Sequence, residues 1–379
     1  MAAQAPDPSV AVPSKDVGQL RAGRLVSLDA FRGATIAGMI LVNNLGDHTN
    51  AYWPLLHANW NGWTPTDLIF PFFLWIMGAA MAFSFASRKA RGESPDAFLR
   101  HVAIRAGALF AIGLFLNAFP NFDFASLRIP GVLQRIALCY LFASLIAFYS
   151  GARGLVLWSA GLMGVYWALM KLYPVPGHGA GILDQQGNFI QYIDSLLMQG
   201  HLYRNQLRWD PEGLVSTLPS IANTLFGLVC GGILRSDEDA RTKLRSMAAW
   251  GFGLVALGLL CDLWLPINKN LWTSSFAMFT SGHAFLAMAL AWWFVDLKGW
   301  KRAAQPFVIF GLNAIAVYAL SSLLSDVLSI TGAKDAVYRG FFLRVASPVN
   351  ASALYGLAHV LFLYGVAWVM YRHRLFLRL

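Results

Sequence analysis

Ten apolar stretches of about 20 residues each dominate this chain and leave few ways to fold it. They lie at 27–45, 65–87, 101–118, 130–150, 154–172, 213–234, 244–265, 271–295, 304–326 and 351–371. A helix of that length crosses the hydrocarbon of a bilayer while satisfying its backbone hydrogen bonds internally. Membrane β-strands would be only about 10 residues long and would alternate strictly. Composition agrees: 57% of residues are hydrophobic and 13% charged, where soluble domains carry roughly 25% charged residues. The predicted fold is therefore all-α, a polytopic helical bundle spanning 24–379. Residues 1–23, with Pro6, Pro8, Pro13 and Gly18 but no apolar core, read as a disordered cytoplasmic tail. The first span then serves as an uncleaved signal anchor.

The Lys and Arg residues in the connections and at the span ends set the expected orientation. Alternate connections hold 18 of them on one side, from Lys15 and Arg24 to Arg378, and 8 on the other, from Arg128 to Arg344. The positive-inside rule puts the richer side and both termini in the cytoplasm. The net charge of +10 is thereby read as contact with anionic lipid, and nucleic acid is not an expected partner. Cys139, Cys230 and Cys261 all fall in apolar stretches, which argues against a disulfide framework or a metal site.

Helix signals mark several span starts. Thr64, Pro65 and Asp67 have the spacing of N-cap, N1 and N3 for span two, and Ser27 can cap span one with Asp29 in its first turn. Pro71, Pro219 and Pro306 are expected to kink their spans.

Two external segments carry polar and aromatic groups together. The segment 57–67 between spans one and two holds His57, Asn59, Trp60, Asn61 and Trp63, and opens into Asp67. The connection 173–212 exceeds the usual loop length and carries Trp209, Asp210 and Glu212. Stacking rings beside hydroxyl-pairing groups suit a sugar, while an ordered cap without a ligand is the alternative. Lys269, in the turn Pro266–Trp272, is either a contact for a substrate hydroxyl or carboxylate, or simply part of the turn. Inside the spans, Asp29 and Arg32 are three apart on one helix face and can pair. With Gly33 and Arg105 they make a candidate cytoplasmic anchor for an anionic cofactor, snorkelling being the rival account of Arg32. Asn43 lies about 16 Å along the same helix from Arg32. Asn117, Gln134, Asn223, His283, Asn313 and His359 could each line a path or bond a neighbouring helix.

These segments resemble the heparan-alpha-glucosaminide N-acetyltransferase family. The resemblance rests on 24–33, 57–67, Phe70-Pro71, Met77-Gly78, 128–135, 173–177, 210–213, 266–272 and 311–313. It implies acetyl-CoA as cytoplasmic acyl donor, a glucosamine-type amine as acceptor on the far side, His57 as catalytic base and Asn43 as its companion. Asp67 is either the helix cap or the group that orients His57. The lysosomal member carries a luminal domain and a further span that find no counterpart here, and a histidine where this chain reads Ala319-Leu320-Ser321-Ser322. The setting expected is a bacterial inner membrane with the outer face periplasmic. Bacterial relatives labelled as transporters make an amino-sugar carrier the alternative, although no paired internal repeat is visible. A homodimer is left open, and no metal is expected.

Overall fold

The computed structural model describes residues 25–203 and 209–377. The tail 1–23 and Arg204 and Arg208 lie outside the described residues. Each of the ten apolar stretches is helical. The chain runs through α1 (Val26–Asn43), α2 (Ile69–Ala90), α3 (Pro95–Ala118), α4 (Val132–Tyr149), α5 (Ala152–Leu172), α6 (Phe189–Met198) and α7 (Thr217–Arg235). It continues through α8 (Ala240–Asp262), α9 (Ser274–Trp292), α10 (Lys301–Leu312), α11 (Ala314–Ile330), the short α12 (Ala333–Val337) and α13 (Leu343–Val345), and α14 (Pro348–Arg372). Among the described residues, eight single helices are long and apolar enough to cross a membrane, and α10 with α11 makes a ninth if taken as one span. The remaining predicted span is α1, whose apolar content is diluted by Asp29, Arg32 and Asn43.

Span nine departs from expectation. It is bent by 69° between α10 and α11, and the break is at Asn313, not at Pro306, which sits inside α10. Asn313 Nδ2 donates to Leu375 O and its Oδ1 accepts from Leu377 N, so the C-terminal segment satisfies the polar groups at the bend. Pro219 is the third residue of α7, where a missing N–H breaks no intrahelical bond. Pro71 is likewise the third residue of α2, just after a 3₁₀ turn. Ser27 does not cap α1. Leu25 occupies the N-cap, and Ser27 N–H donates to Asp296 Oδ2 in the helical turn Trp293–Leu297 that continues α9.

Small residues set the closest helix crossings. A Cβ at Gly33 would lie 1.7 Å from Phe307 O, and one at Gly311 would lie 2.1 Å from Asp29 O, so α1 and α10 meet backbone to backbone. Gly78 and Gly227 do the same for α2 and α7. In lipid, where apolar faces gain little by leaving the solvent, such contact is what holds helices together. Polar side chains add to it. Asn223 donates to Ser281 Oγ at 2.7 Å and accepts from Trp272 Nε1 at 2.9 Å, and Asn117 donates to Arg128 O and Pro130 O. These two are interhelical and loop fasteners.

The described parts of the 173–212 connection, 173–203 and 209–212, pack as a cap. Tyr166, Val175, Phe189, Ile190, Trp209, Val215, Leu265 and Leu271 form an apolar cluster separate from the main core. It buries one face of α6 and seats the cap against the turns on which the candidate site lies.

Candidate active site

The His57 loop is shaped by its own polar groups. A 3₁₀ turn at Pro65–Leu68 follows the N-cap Thr64, as the Thr-Pro-x-Asp spacing predicts. Asp67 Oδ2 accepts the N–H groups of Thr64 (2.9 Å) and Ala58 (3.1 Å). Thr66 donates its hydroxyl to Pro54 O, and the Thr64 hydroxyl reaches Leu56 O. These bonds fold the loop back over its helix and spend one carboxylate oxygen on its backbone. The other oxygen, Oδ1, lies 2.6 Å from His57 Nδ1. Asp67 thus makes both contacts that its two readings call for, the helix cap through Oδ2 and the imidazole through Oδ1.

Asp67 is fully buried while the His57 side chain is 48% exposed. An ionised carboxylate that already accepts two N–H groups takes the Nδ1 proton as its third bond, which fixes the tautomer with Nε2 as the acceptor. The imidazole is held below its ordinary pKa of 6.5. Lost hydration in the packed loop is the largest cause, and the Lys269 charge adds to it against the opposing pull of Asp67. A neutral ring with an available Nε2 is a general base at neutral pH.

Lys269 comes to this ring from 212 residues away. Its Nζ stands 2.9 Å from Nδ1 and 3.0 Å from Nε2 of His57, and 3.8 Å from Asp67 Oδ1. The turn that delivers it is rigid. Asn268 Oδ1 accepts from Leu271 N, Asn268 Nδ2 donates to Asn61 Oδ1, and Gly62 N–H donates to Ile267 O. Trp272, in the left-handed region at φ +50°, is fully buried, a conformation that persists only where surrounding packing imposes it. Burial lowers the Lys269 pKa, with Asp67 and Glu212 opposing.

A second ion cluster ties the cap to the site. Arg128 donates to both oxygens of Asp210, at 2.8 and 2.6 Å, and also pairs with Glu212. Burial opposes its charge, but these two carboxylates outweigh it and raise its pKa. Asp210 is fully buried and also accepts from Tyr203 N and Glu212 N. Trp209 is buried and meets Trp60 edge-on at 5.3 Å, and Trp60 Nε1 donates to Leu183 O. Trp209 and Asp210 thus have internal partners within the cap. Glu212 retains electrostatic influence on both His57 and Lys269.

The other predicted residues separate into groups. Asn43 ends α1 and is exposed, whereas Asn44 is buried and bonded to Ile40 O and Ser321 Oγ. Asn59 is exposed, and Asn61 is an exposed partner of Asn268. Arg32 pairs with Asp29 at 3.1 Å and reaches Gly311 O. Eleven residues, three helical turns, separate Arg32 from Asn43, which puts both on one face of α1. Gly33 serves the α1–α10 contact. Arg105 lies over the Tyr140 ring of α4 at 4.8 Å, on the α3–α4 side and not beside Arg32. Sequence reasoning missed Arg128. Its proximity to a conspicuous Asp-Pro-Glu segment in the cap was not visible from spacing.

A polytopic helical membrane protein with an imidazole–carboxylate pair on an interfacial loop is the class that this fold and site define. The family model for the catalytic region of heparan-alpha-glucosaminide N-acetyltransferase matches residues 24–259, and the chain belongs to that family. The human heparan-alpha-glucosaminide N-acetyltransferase is 33% identical over 352 residues, covering 78% of this chain and 52% of the relative. The mouse protein of the same name is 29% identical, covering 98% of this chain and 63% of the relative. This chain thus spans between half and two thirds of the length of these relatives.

Proposed function

We propose that this protein is a transmembrane N-acetyltransferase. It moves the acetyl group of cytoplasmic acetyl-CoA to the amine of a glucosamine-type sugar on the periplasmic side of a bacterial inner membrane. The observation that carries this reading is the His57–Asp67 pair, with an amine already seated 3.0 Å from Nε2. The Lys269 amine at 3.0 Å from Nε2 supports this reading, because it is the same functional group as the proposed acceptor.

The sugar arrives as an ammonium, which cannot attack a thioester until it loses a proton. Neutral His57 removes it through Nε2, within the roughly 2.6–3.2 Å reach that proton transfer needs. Asp67 holds the ring and stabilises the imidazolium that forms. Lys269 keeps the resting ring neutral. Glu212, presented by Arg128, attracts the incoming ammonium, and Asn59, Asn61 and Trp60 border its approach. Asn43 donates to the oxyanion of the tetrahedral intermediate that the amine forms on the thioester carbonyl. The C–S bond then breaks, the thiolate takes the proton held on His57, and the remaining excess amine proton leaves to solvent as the amide forms. Arg32, at the other end of the same helix face and paired with Asp29, meets the phosphates of the donor. The face between Arg32 and Asn43 then carries the donor's flexible arm over about 16 Å.

Reconstituted vesicles test the whole reading. Acetyl-CoA is supplied on the side of Arg32 and glucosamine on the side of His57, and acetyl transfer and sugar flux are followed together. Acetylated sugar on the His57 side without net sugar movement is the expected result. Sugar flux without acetylation would identify a carrier instead.

Two variants probe the partners of the base. Asn43→Ala should lower the single-turnover rate on the order of 100–1000-fold, the cost of one oxyanion donor, while acceptor KM stays nearly constant. An unchanged rate at saturating acetyl-CoA would remove Asn43 from that role. Lys269→Met should move the acid limb of the pH–rate profile upward. Without the lysine charge the imidazole holds its proton to higher pH, so the variant loses several-fold more activity at pH 6 than at pH 8. A profile of unchanged shape would show that Lys269 does not act on His57.

A further inference from the structure

We propose that Lys269 is a self-acetylation site: with the acyl donor bound and no sugar present, the enzyme transfers the acetyl group to its own Lys269 Nζ. The inference rests on the acetyltransferase reading above and adds a second acceptor to the same base. Lys269 Nζ stands 2.9 Å from Nδ1 and 3.0 Å from Nε2 of His57, over the imidazole. A rotation of the ring that turns the Nε2 lone pair toward it brings the amine within the range in which a general base takes a proton. It is a primary amine, the same functional group as the sugar acceptor.

The lysine does not reach this place by chance rotation of a surface side chain. It is 18% exposed. The turn under it is fixed by Asn268, by the Trp272 N–H to Lys269 O bond at 3.1 Å, and by Tyr166 donating to Leu271 O. Preorganisation of this kind is what turns a nearby amine into an effective nucleophile. Burial also lowers the pKa of the amine, which increases the fraction with a lone pair to donate.

The step balances without another reagent. The ammonium first releases one proton to solvent. The Nζ lone pair then attacks the acetyl carbonyl carbon, the C–N bond forms and the C–S bond breaks. The sulfur leaves with the bonding pair as a thiolate, and the second Nζ proton passes through His57 Nε2 to that sulfur. The products are an amide on Lys269 and the free thiol. The amide has no charge with which to hold His57 neutral, and it fills the place where an acceptor amine docks. Donor without acceptor should therefore shut the site slowly, and a sugar at the base should protect it.

Peptide mass spectrometry on the full-length protein, purified in detergent and incubated with acetyl-CoA alone, tests this. Glucosamine acetylation is assayed on the same preparation. The expected result is one acetyl group on Lys269, stable to hydroxylamine as an amide is and an acyl-imidazole is not. It should be at least tenfold suppressed by saturating glucosamine. His57→Ala should slow the labelling on the order of 100-fold, with His57→Gln as the second variant if the first does not fold. Lys269→Arg should abolish it. A preparation that acetylates glucosamine but leaves Lys269 unmodified would overturn the inference and leave the proposed function standing. Equal labelling in wild type and the His57 variants would overturn it too, as uncatalysed chemistry. Transfer to neither acceptor would remove the proposed function, and this inference with it.

Discussion

Replacing His57 with alanine is expected to cut acetyl transfer to glucosamine by at least about 100-fold and up to about 10,000-fold, the usual contribution of a positioned general base. Folding and donor binding should change little. The ring is half-exposed, and the bonds that close the loop run from Asp67 Oδ2 to backbone N–H groups, not through the imidazole. The loss should be steepest near neutral pH, where sugar amines are still protonated and need a base. At high pH, hydroxide and the unprotonated amine narrow the gap. Because the side chain opens outward, added imidazole should restore part of the rate to H57A in a concentration-dependent way. Normal turnover by a folded H57A protein would remove His57 from the mechanism.

Much of this site was legible in the residue order, and the reasons are physical. Lipid forces each backbone polar group to find a partner within its own helix, so each of the ten apolar stretches became helical, one of them as the broken pair α10 and α11. The Thr64–Asp67 spacing encoded the turn because a capping box is a local device. His57 is ten residues from Asp67, and a short loop keeps them in reach. What stayed hidden depended on partners distant in sequence. Nothing local announces that Lys269 meets His57, that Asp296 takes the Ser27 N–H, or that Leu375 and Leu377 satisfy a bend at Asn313. Trp209 and Asp210 have the chemistry of a sugar platform, but residue type does not reveal burial. The cap closes over the ring, and Arg128 claims the carboxylate.

Asp67→Asn should be nearly as damaging as loss of the histidine, although it changes only one heavy atom. Oδ2 faces two backbone N–H donors, from Thr64 and Ala58. An amide at this position must turn its oxygen toward them, since its NH₂ would otherwise oppose two donors in a buried site. The NH₂ is thereby aimed at His57 Nδ1, where the carboxylate oxygen now lies at 2.6 Å. Nδ1 is forced to accept, the ring proton moves to Nε2, and the nitrogen that faces the acceptor has no lone pair. The ring also loses the negative charge that stabilises imidazolium as the sugar ammonium is deprotonated. In the serine-protease triad the same substitution costs roughly 10,000-fold by imposing the wrong tautomer, and a loss of that order is expected here in kcat, with acceptor KM little altered. Nitrogen NMR of labelled imidazole provides a readout that a merely structural role would not move. Wild type should show the Nδ1–H tautomer and D67N the Nε2–H tautomer. If D67N kept the wild-type tautomer and rate, Asp67 would be reduced to a helix cap, and orientation of His57 would have to come from Lys269 alone.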